Sequence, residues 1–232
     1  MARTASRIRQ VSVTDLTGNW GLAMDGKPVH TPAGLVLTVP SRALAEALAA
    51  EWQAQGEKIR PETMPLFRLA CTALDKTPRE ETVRALLASA ETDTLCYRAE
   101  HPAALAQQQA AQWQPVLAWA QERFGVSLAV TAGVSHRLQP PEALEVLEKV
   151  LSALDNFTLC GVQQAASLTG SVILALALAE GHLSADQVFS LAFLDELFQT
   201  SQWGEDPEAT RRRQDIRTEL EDTARFLFSV KR

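Results

Sequence analysis

The spacing of the apolar residues changes from period two to a helical period near Ser41, and this change restricts the folds that the chain can adopt. Before it, apolar side chains alternate on both sides of Asp25-Gly26. Alternation around an Asp-Gly pair is the strongest short signal for a β-hairpin. Ala33-Gly34 supplies a second turn. The segment 20–39 therefore predicts a small antiparallel meander of about three or four strands.

Beyond Ser41 the apolar spacing is helical over most of the chain. Capping residues, prolines and glycines delimit the predicted helices. These helices cover 41–55, 61–75, 77–90, 102–124, 140–154, 156–180, 184–202 and 207–228. Capping boxes open two of them, one at Thr77 and one at Ser184 with Gln187. Pro115 should kink or split its helix, and the segment 126–131 predicts a short strand.

The fold class that follows is α+β, with a small N-terminal antiparallel β-meander with helices, followed by an all-helical C-terminal domain. We predict a β-containing domain at 1–98 and a helical domain at 99–232. The short connections between the C-terminal helices predict that these helices pack directly on one another.

Charge and composition exclude several classes of function. The net charge of −6 argues against a general affinity for nucleic acid, which requires clustered lysine and arginine. The longest apolar run, 172–179, is too short to cross a bilayer, so no membrane insertion is expected. Cys71, Cys96 and Cys160 are widely spaced and predict reduced thiols. Without a secretory signal, we expect a complete, cytoplasmic chain that needs no cofactor and no metal.

The run Thr92–Arg98 contains the only tyrosine of the chain, together with an acid, a thiol and a guanidinium group. Because the run has no histidine, these groups do not form an activated nucleophile. One interpretation is a packed junction in which Asp93 caps a helix or pairs with Arg98. The alternative is a small-molecule enzyme with a pocket at Asp93, Tyr97 and Arg98. In that enzyme His101 would serve as the base.

Common signatures of catalysis and nucleotide binding, such as a P-loop or a zinc-protease motif, do not occur in the sequence. The run Arg211–Arg213 indicates a solvated, salt-bridged helix face, because adjacent residues point apart on a helix and acids lie nearby. Five tryptophans against one tyrosine favour either a large core or a recognition surface. The residues therefore suggest binding more than catalysis.

Five groups of residues occur in a specific order and spacing along the chain. They are Asp25-Gly26-Lys27-Pro28 with Thr31-Pro32; Glu51-Trp52 followed by Met64-Pro65-Leu66; Thr92-Asp93-Thr94-Leu95-Cys96-Tyr97-Arg98; Gln109 with Trp113 and Pro115; and Glu196, Gln199, Trp203 and Gly204. Together they resemble the assembly-chaperone family for F-type ATP synthase, whose members bind the α subunit of the catalytic head. The resemblance covers nearly the whole chain from Trp20 to Phe228, and it implies a bacterial member.

The resemblance implies a molecular chaperone with no enzymatic activity. Such a chaperone binds the unassembled α subunit reversibly until the β subunit replaces it. The partner-binding residues that we expect are Glu196, Gln199, Trp203 and Gly204. The first three have spacings of three and four, which place them on one stripe of a helix. Possible scaffold residues or secondary contacts are Asp93, Arg98, Trp52 and Trp113.

Two further alternatives stay open at this point. In the first, Trp203 is a core residue and Glu196 is only an intramolecular ion-pair partner. In the second, the chain is a helical adaptor for some other protein, with the same exposed tryptophans. We also predict that Glu196→Lys leaves folding nearly intact and weakens binding of the α subunit, because reversing a rim charge spares the core.

Overall fold

The structure is a computed structural model that describes residues 10–56, 58–75, 78–133 and 137–231. The described residues form two compact units. The first comprises those within Met1–Thr77, Asn156–Cys160 and Arg225–Arg232, and the second those within Pro78–Asp155 and Gly161–Ala224. The units do not coincide with the predicted domains 1–98 and 99–232, which remain a prediction.

The first unit contains the predicted antiparallel meander. Its strands are β1 (Val11–Asp15), β2 (Trp20–Met24), β3 (Lys27–Pro28) and β4 (Thr38–Val39). Strand β2 pairs with β1, β3 and β4, antiparallel in each case. The turn at Asp25-Gly26 has positive φ at both residues, 47° and 77°. Such a turn matches the twist of the flanking strands, which explains why Asp-Gly predicted the hairpin correctly.

Two helices complete much of the first unit. Helix α1 (Arg42–Gln53) is capped by Ser41, whose side chain accepts the Leu44 N–H as the sequence predicted. The predicted helix 61–75 is divided into a 3₁₀ turn, Pro61–Thr63, and helix α2 (Pro65–Asp75). Pro65 occupies the first position of α2, where proline is favoured, so a new helix begins there. The buried core of this unit includes Leu22, Leu37, Leu44, Leu48, Met64, Leu66 and Phe226.

The remaining elements are mostly helical. They are α3 (Arg79–Ala90), α4 (Ala103–Phe124), α5 (Pro141–Ala153), α6 (Asn156–Thr169), α7 (Val172–Glu180), α8 (Ala185–Ala192), α9 (Leu194–Trp203) and α10 (Pro207–Val230), with a two-stranded parallel sheet of β5 (Tyr97–Arg98) and β6 (Thr131–Ala132). Residues 172–179 of α7 are all buried, so the longest apolar run of the sequence is a core helix. None of the described helices combines the length and the apolar character needed to span a bilayer. The predicted α+β fold class is confirmed.

Two further predicted helices are each divided into two. The predicted helix 156–180 ends at Gly170, where φ is +66°, and α7 begins after a new cap at Ser171. The predicted helix 184–202 is broken at Phe193, between α8 and α9. The apolar spacing continues across both breaks, so periodicity alone did not reveal them. The predicted capping box of Ser184 and Gln187 is confirmed.

Other boundaries also differ from the prediction. Helix α4 runs unbroken through Pro115, so this proline does not split the helix, and the predicted kink stays a prediction. The predicted strand 126–131 is reduced to β6, because the Gln139 side chain satisfies the backbone of Ala129 in place of a strand partner. The capping box predicted at Thr77 falls outside the described residues, and α3 has Pro78 as its N-cap.

Candidate partner-binding site

Helix α9 presents an exposed aromatic side chain beside polar ones. Trp203 is 79% exposed, Gln199 is exposed and Glu196 is half-buried. All three lie on α9 with the spacing that places them on one face. Tryptophan is buried on average, so an indole this exposed marks a candidate recognition surface. The alternative in which Trp203 belongs to the core is wrong.

Glu196 has an intramolecular role as well. Its carboxylate accepts a hydrogen bond from Arg212 Nη2 at 2.7 Å and lies 3.6 Å from Arg213 Nη1. The Arg213 side chain is buried, so the nearby carboxylate offsets a charge that is poorly solvated. Glu196 therefore joins α9 to α10. The alternative interpretation combined a buried Trp203 with an intramolecular ion pair of Glu196. The ion pair is present.

Gly204 allows the chain to leave α9 directly after the exposed indole. Its φ of +89° and ψ of 175° form a conformation that is almost restricted to glycine. Its N–H still donates to the Thr200 carbonyl at 2.9 Å. The exposed stripe therefore ends at a fixed position, and α10 begins three residues later at Pro207.

The arginines of α10 bind α8 and α9. Arg217 forms an ion pair with Asp186 and lies over the ring of Phe189 at 5.4 Å, while Arg212 lies 6.0 Å from the centre of the Phe193 ring. A solvated, salt-bridged face was predicted for Arg211–Arg213. The ion pairs are present for Arg212 and Arg213, but Arg213 is buried, so the solvated part of the prediction is wrong for that residue. Acids on α8 and α9 supply these ion pairs, in addition to Glu221 on α10 itself.

The Thr92–Arg98 segment is a junction, and Asp93 is fully buried within it. Its carboxylate accepts the N–H groups of Leu95 at 3.0 Å and Ile173 at 3.2 Å, so it caps a 3₁₀ turn and reaches the start of α7. Burial raises the pKa of this carboxyl above its ordinary value, although hydrogen bonds with Ser171 and backbone amides act in the opposite direction. The predicted capping by Asp93 is confirmed.

Arg98 does not form the alternative pair with Asp93. Its Nη2 donates to the Gln114 side chain at 3.3 Å, and the guanidinium carbon lies 5.8 Å from the centre of the Trp113 ring. Burial lowers the pKa of Arg98. The arginine is thus held by an amide and an aromatic face.

Helix α4 contributes two buried hydrogen-bonding side chains. The Trp113 indole N–H donates to the Leu191 carbonyl at 2.9 Å. The Gln109 side chain, which has no exposed surface, accepts the Ala99 N–H at 2.7 Å and donates to the Asp195 carboxylate at 2.6 Å. Trp113 was expected as scaffold, whereas the hydrogen bonds of Gln109 were not predicted.

Trp52 is buried in the first unit and meets Phe67 edge to face at 5.0 Å. Its neighbour Glu51 accepts the N–H groups of Leu66 at 2.9 Å and Phe67 at 2.8 Å. A carboxylate from α1 therefore caps α2. This role of Glu51 was not predicted from the sequence, although the lack of a capping side chain before Pro65 was a usable signal.

The enzyme alternative requires a pocket at Asp93, Tyr97 and Arg98. A cavity of about 560 Å³ lies elsewhere, lined by Ala54, Gln55, Gly56, Lys58, Arg60 and Thr63. Asp93 is fully buried and its oxygens accept internal N–H groups, so it is poorly placed to act on a substrate. Among the described residues, no group of three or more histidine, cysteine or acidic side chains is arranged to hold a metal ion.

Comparison with known proteins identifies the family. The model of the ATP12 chaperone protein family matches residues 8–121. The crystal structure of Atp12 from Paracoccus denitrificans superposes with a TM-score of 0.91 at 35% identity, with 96% of each chain covered. This chain belongs to the ATP12 chaperone family. The assignment confirms the resemblance stated from the sequence motifs and the chaperone class of function.

Two other relatives agree with this assignment. The Atu1473 protein from Agrobacterium tumefaciens has a TM-score of 0.89 at 40% identity, over 96% of this chain and 84% of that one. The mitochondrial protein atp12 of Schizosaccharomyces pombe is 25% identical over 197 residues, which are 79% of this chain and 68% of the relative. Thus proteins from two bacteria and a yeast share most of the length of this chain.

Proposed function

We propose that this chain is a bacterial assembly chaperone that binds the unassembled α subunit of the ATP synthase catalytic head. It acts in the cytoplasm and releases the α subunit when the β subunit takes its place. Membership of the ATP12 chaperone family supports the general role. The stripe on α9, in which Trp203 and Gln199 are exposed and Glu196 is half-buried, is the single observation that supports a specific binding surface.

A subunit that awaits its partner exposes the apolar surface that the partner will cover, and such a surface promotes aggregation. A chaperone that covers it must bind tightly enough to protect it and weakly enough to be displaced. A few anchoring side chains with a polar surround meet both requirements, because anchors determine affinity more than area does. Trp203 is suited to be such an anchor, and Gln199 and Glu196 supply the polar surround.

Removal of the indole tests this proposal. Trp203→Ala should weaken capture of purified α subunit by at least about tenfold, since a tryptophan anchor commonly contributes 2 kcal/mol or more. Leu138→Ala is the matched control, because Leu138 is 74% exposed and lies outside α9. Affinities of both variants are measured by biolayer interferometry with immobilised α subunit. Equal affinities for the two variants would contradict the proposed surface.

The helical-adaptor alternative makes a different prediction in the same experiment. An adaptor for another protein would bind the α subunit no better than it binds an unrelated partially folded protein. Binding of α subunit alone, compared with binding of reduced α-lactalbumin, therefore separates the two functions. We propose no enzymatic activity, because the described residues offer no accessible acid–base pair at Asp93, Tyr97 and Arg98.

A further inference from the structure

We propose that Gln109 is a positioning residue, which sets the direction of α9 and thereby places the partner-binding stripe. The inference rests on the proposed function for its effect on binding. Its structural part concerns the free chain alone. The observation behind it is that one fully buried amide contacts both Ala99, the residue directly after the Thr92–Arg98 junction, and the start of α9.

Both ends of the Gln109 amide are used. The oxygen accepts the N–H of Ala99, directly after β5, at 2.7 Å. The nitrogen donates to Asp195 Oδ1, in the first turn of α9, at 2.6 Å. A short hydrogen bond to a carboxylate is stronger than one between neutral groups. Since the side chain is inaccessible to water, loss of either bond leaves a buried polar group unsatisfied.

The helix break at Phe193 makes this contact important for direction. Helices α8 and α9 are not continuous, so the backbone between them does not set the direction of α9 by itself. Trp113 binds the end of α8 through the Leu191 carbonyl, and Gln109, one turn earlier on α4, binds the start of α9 through Asp195. Neighbouring side chains of one helix thus fix both sides of the break.

Trp203 lies far from the contact between Gln109 and Asp195, so a small rotation at the start of α9 displaces the indole by a larger distance. Trp203 lies eight positions after Asp195, which corresponds to about 12 Å along the helix axis. A rotation of about 10° at the start of α9 would move the indole by roughly 2 Å. Such a displacement is enough to misplace an anchor in a preformed pocket, because buried anchors depend on close packing. The amide can therefore influence binding without touching the partner.

Two substitutions can exchange the donor and the acceptor of the hydrogen bond between Gln109 and Asp195. Gln109→Glu keeps an acceptor for Ala99 but places a second carboxylate against Asp195. Asp195→Asn alone should be mild, because its remaining carbonyl oxygen can accept from the Gln109 amide. In the double variant, the asparagine amide donates to the new carboxylate, which restores the bond with the polarity reversed. Gln112→Glu is the matched control, since Gln112 is an exposed residue of the same helix.

Two measurements on the full-length chain test the proposal. Hydrogen exchange followed by mass spectrometry reports on residues 194–203 in the free protein, and interferometry reports on capture of the α subunit. We expect Gln109→Glu to accelerate exchange in α9 and to weaken capture by roughly tenfold, the effect of about 1.4 kcal/mol. Asp195→Asn in the same chain should restore both, whereas Gln112→Glu should change neither.

The outcomes separate the two proposals. If Gln109→Glu leaves exchange in α9 equal to that of the Gln112→Glu control, or if Asp195→Asn fails to rescue it, the positioning role is wrong. Suppose that Gln109→Glu accelerates exchange in α9 and that Asp195→Asn reverses this effect, while the wild-type chain does not bind the α subunit. The proposed function then fails, and the positioning of α9 by Gln109 stands. If exchange changes while capture by Gln109→Glu equals wild type, Gln109 does not position the binding stripe.

Discussion

At the scale of single residues, buried polar side chains serve as caps for distant backbone groups. Glu51 on α1 accepts two N–H groups at the start of α2, and Asp93 accepts the Ile173 N–H of α7. The first N–H groups of a helix have no partner within it, so a buried helix start needs such an acceptor. The positions of Glu51 and Asp93 are thereby explained without catalysis.

The Glu51 cap should make a measurable contribution to stability. Glu51→Ala removes the acceptor for the N–H groups of Leu66 and Phe67, which are buried or half-buried. We expect a loss of about 2 kcal/mol in the free energy of unfolding, the usual size for charge-assisted hydrogen bonds. Urea denaturation measures it. Glu46→Ala, an exposed change on the same helix, should cost less than about 0.5 kcal/mol, and equal losses would refute the cap.

The Asp93 carboxyl should make stability depend on pH. Burial raises its pKa, so the folded protein binds the proton more strongly than the unfolded chain does. Its contribution is complete below the ordinary value of about 3.9 and is lost as the pH rises through the folded value. Asp93→Asn removes this titration. The wild-type advantage over the variant in urea denaturation should therefore shrink as the pH is raised from about 4.

The opposite trend would have a clear meaning. An advantage that grows with pH would show that the N–H donors of Leu95 and Ile173 outweigh burial, and that the pKa of Asp93 is lowered. Capping by Asp93 was one of the two roles predicted from the sequence, beside a pair with Arg98. The cap by Glu51 was not predicted, since the two segments are joined only by the tertiary fold.

At the scale of elements, the break between α6 and α7 depends on Gly170. Its φ is +66°, and a Cβ atom there would lie 2.7 Å from Thr94 Oγ1. Gly170→Ala should therefore combine backbone strain with a steric clash. Gly181→Ala is the matched control, because its φ of +72° gives the strain while nothing lies within 4 Å of the added atom.

We expect Gly170→Ala to lower the melting temperature more than Gly181→Ala does. The control should cost about 1 kcal/mol, the usual penalty for a left-handed alanine. Differential scanning calorimetry gives both values. Equal shifts would indicate that the Thr94 side chain moves aside without cost, and that this contact does not define the break.

The ion pairs of Glu196 make α9 depend on α10. Glu196→Lys removes the carboxylate beside the buried Arg213 and adds a cation there, so we now expect a loss of stability where the sequence had predicted almost none. A loss of about 1 kcal/mol would lower the melting temperature by 2–4 °C in a chain of this size. Gln199→Lys adds the same charge at an exposed position of α9 and serves as control. Identical melting temperatures would support the original prediction.

At the scale of the whole molecule, periodicity predicted the fold class but not all of the element boundaries. The alternation around Asp25-Gly26 and the Ser41 cap depend on local chemistry, and both are confirmed. The break at Gly170 was missed because the apolar pattern continues through it. The hydrogen bonds of Gln109 depend on residues 10 and 86 positions away, which no local pattern contains.

The candidate binding site was likewise predicted only in part from the sequence. The spacing of Glu196, Gln199 and Trp203 predicted a common helix face, and their helix is present. The exposure of Trp203 was not predictable, because the apolar spacing of α9 does not distinguish a buried indole from an exposed one. The family resemblance thus indicated these residues and their spacing placed them on one face, but only the fold could show which side chains reach solvent.

The most direct test of the proposed function is co-expression of this chain with the α subunit of the same organism in the absence of the β subunit. The soluble fraction is then analysed by size exclusion. We predict that the α subunit stays soluble, co-elutes with the chain and is released when purified β subunit is added. An α subunit that precipitates to the same extent with and without the chain would contradict the proposed function.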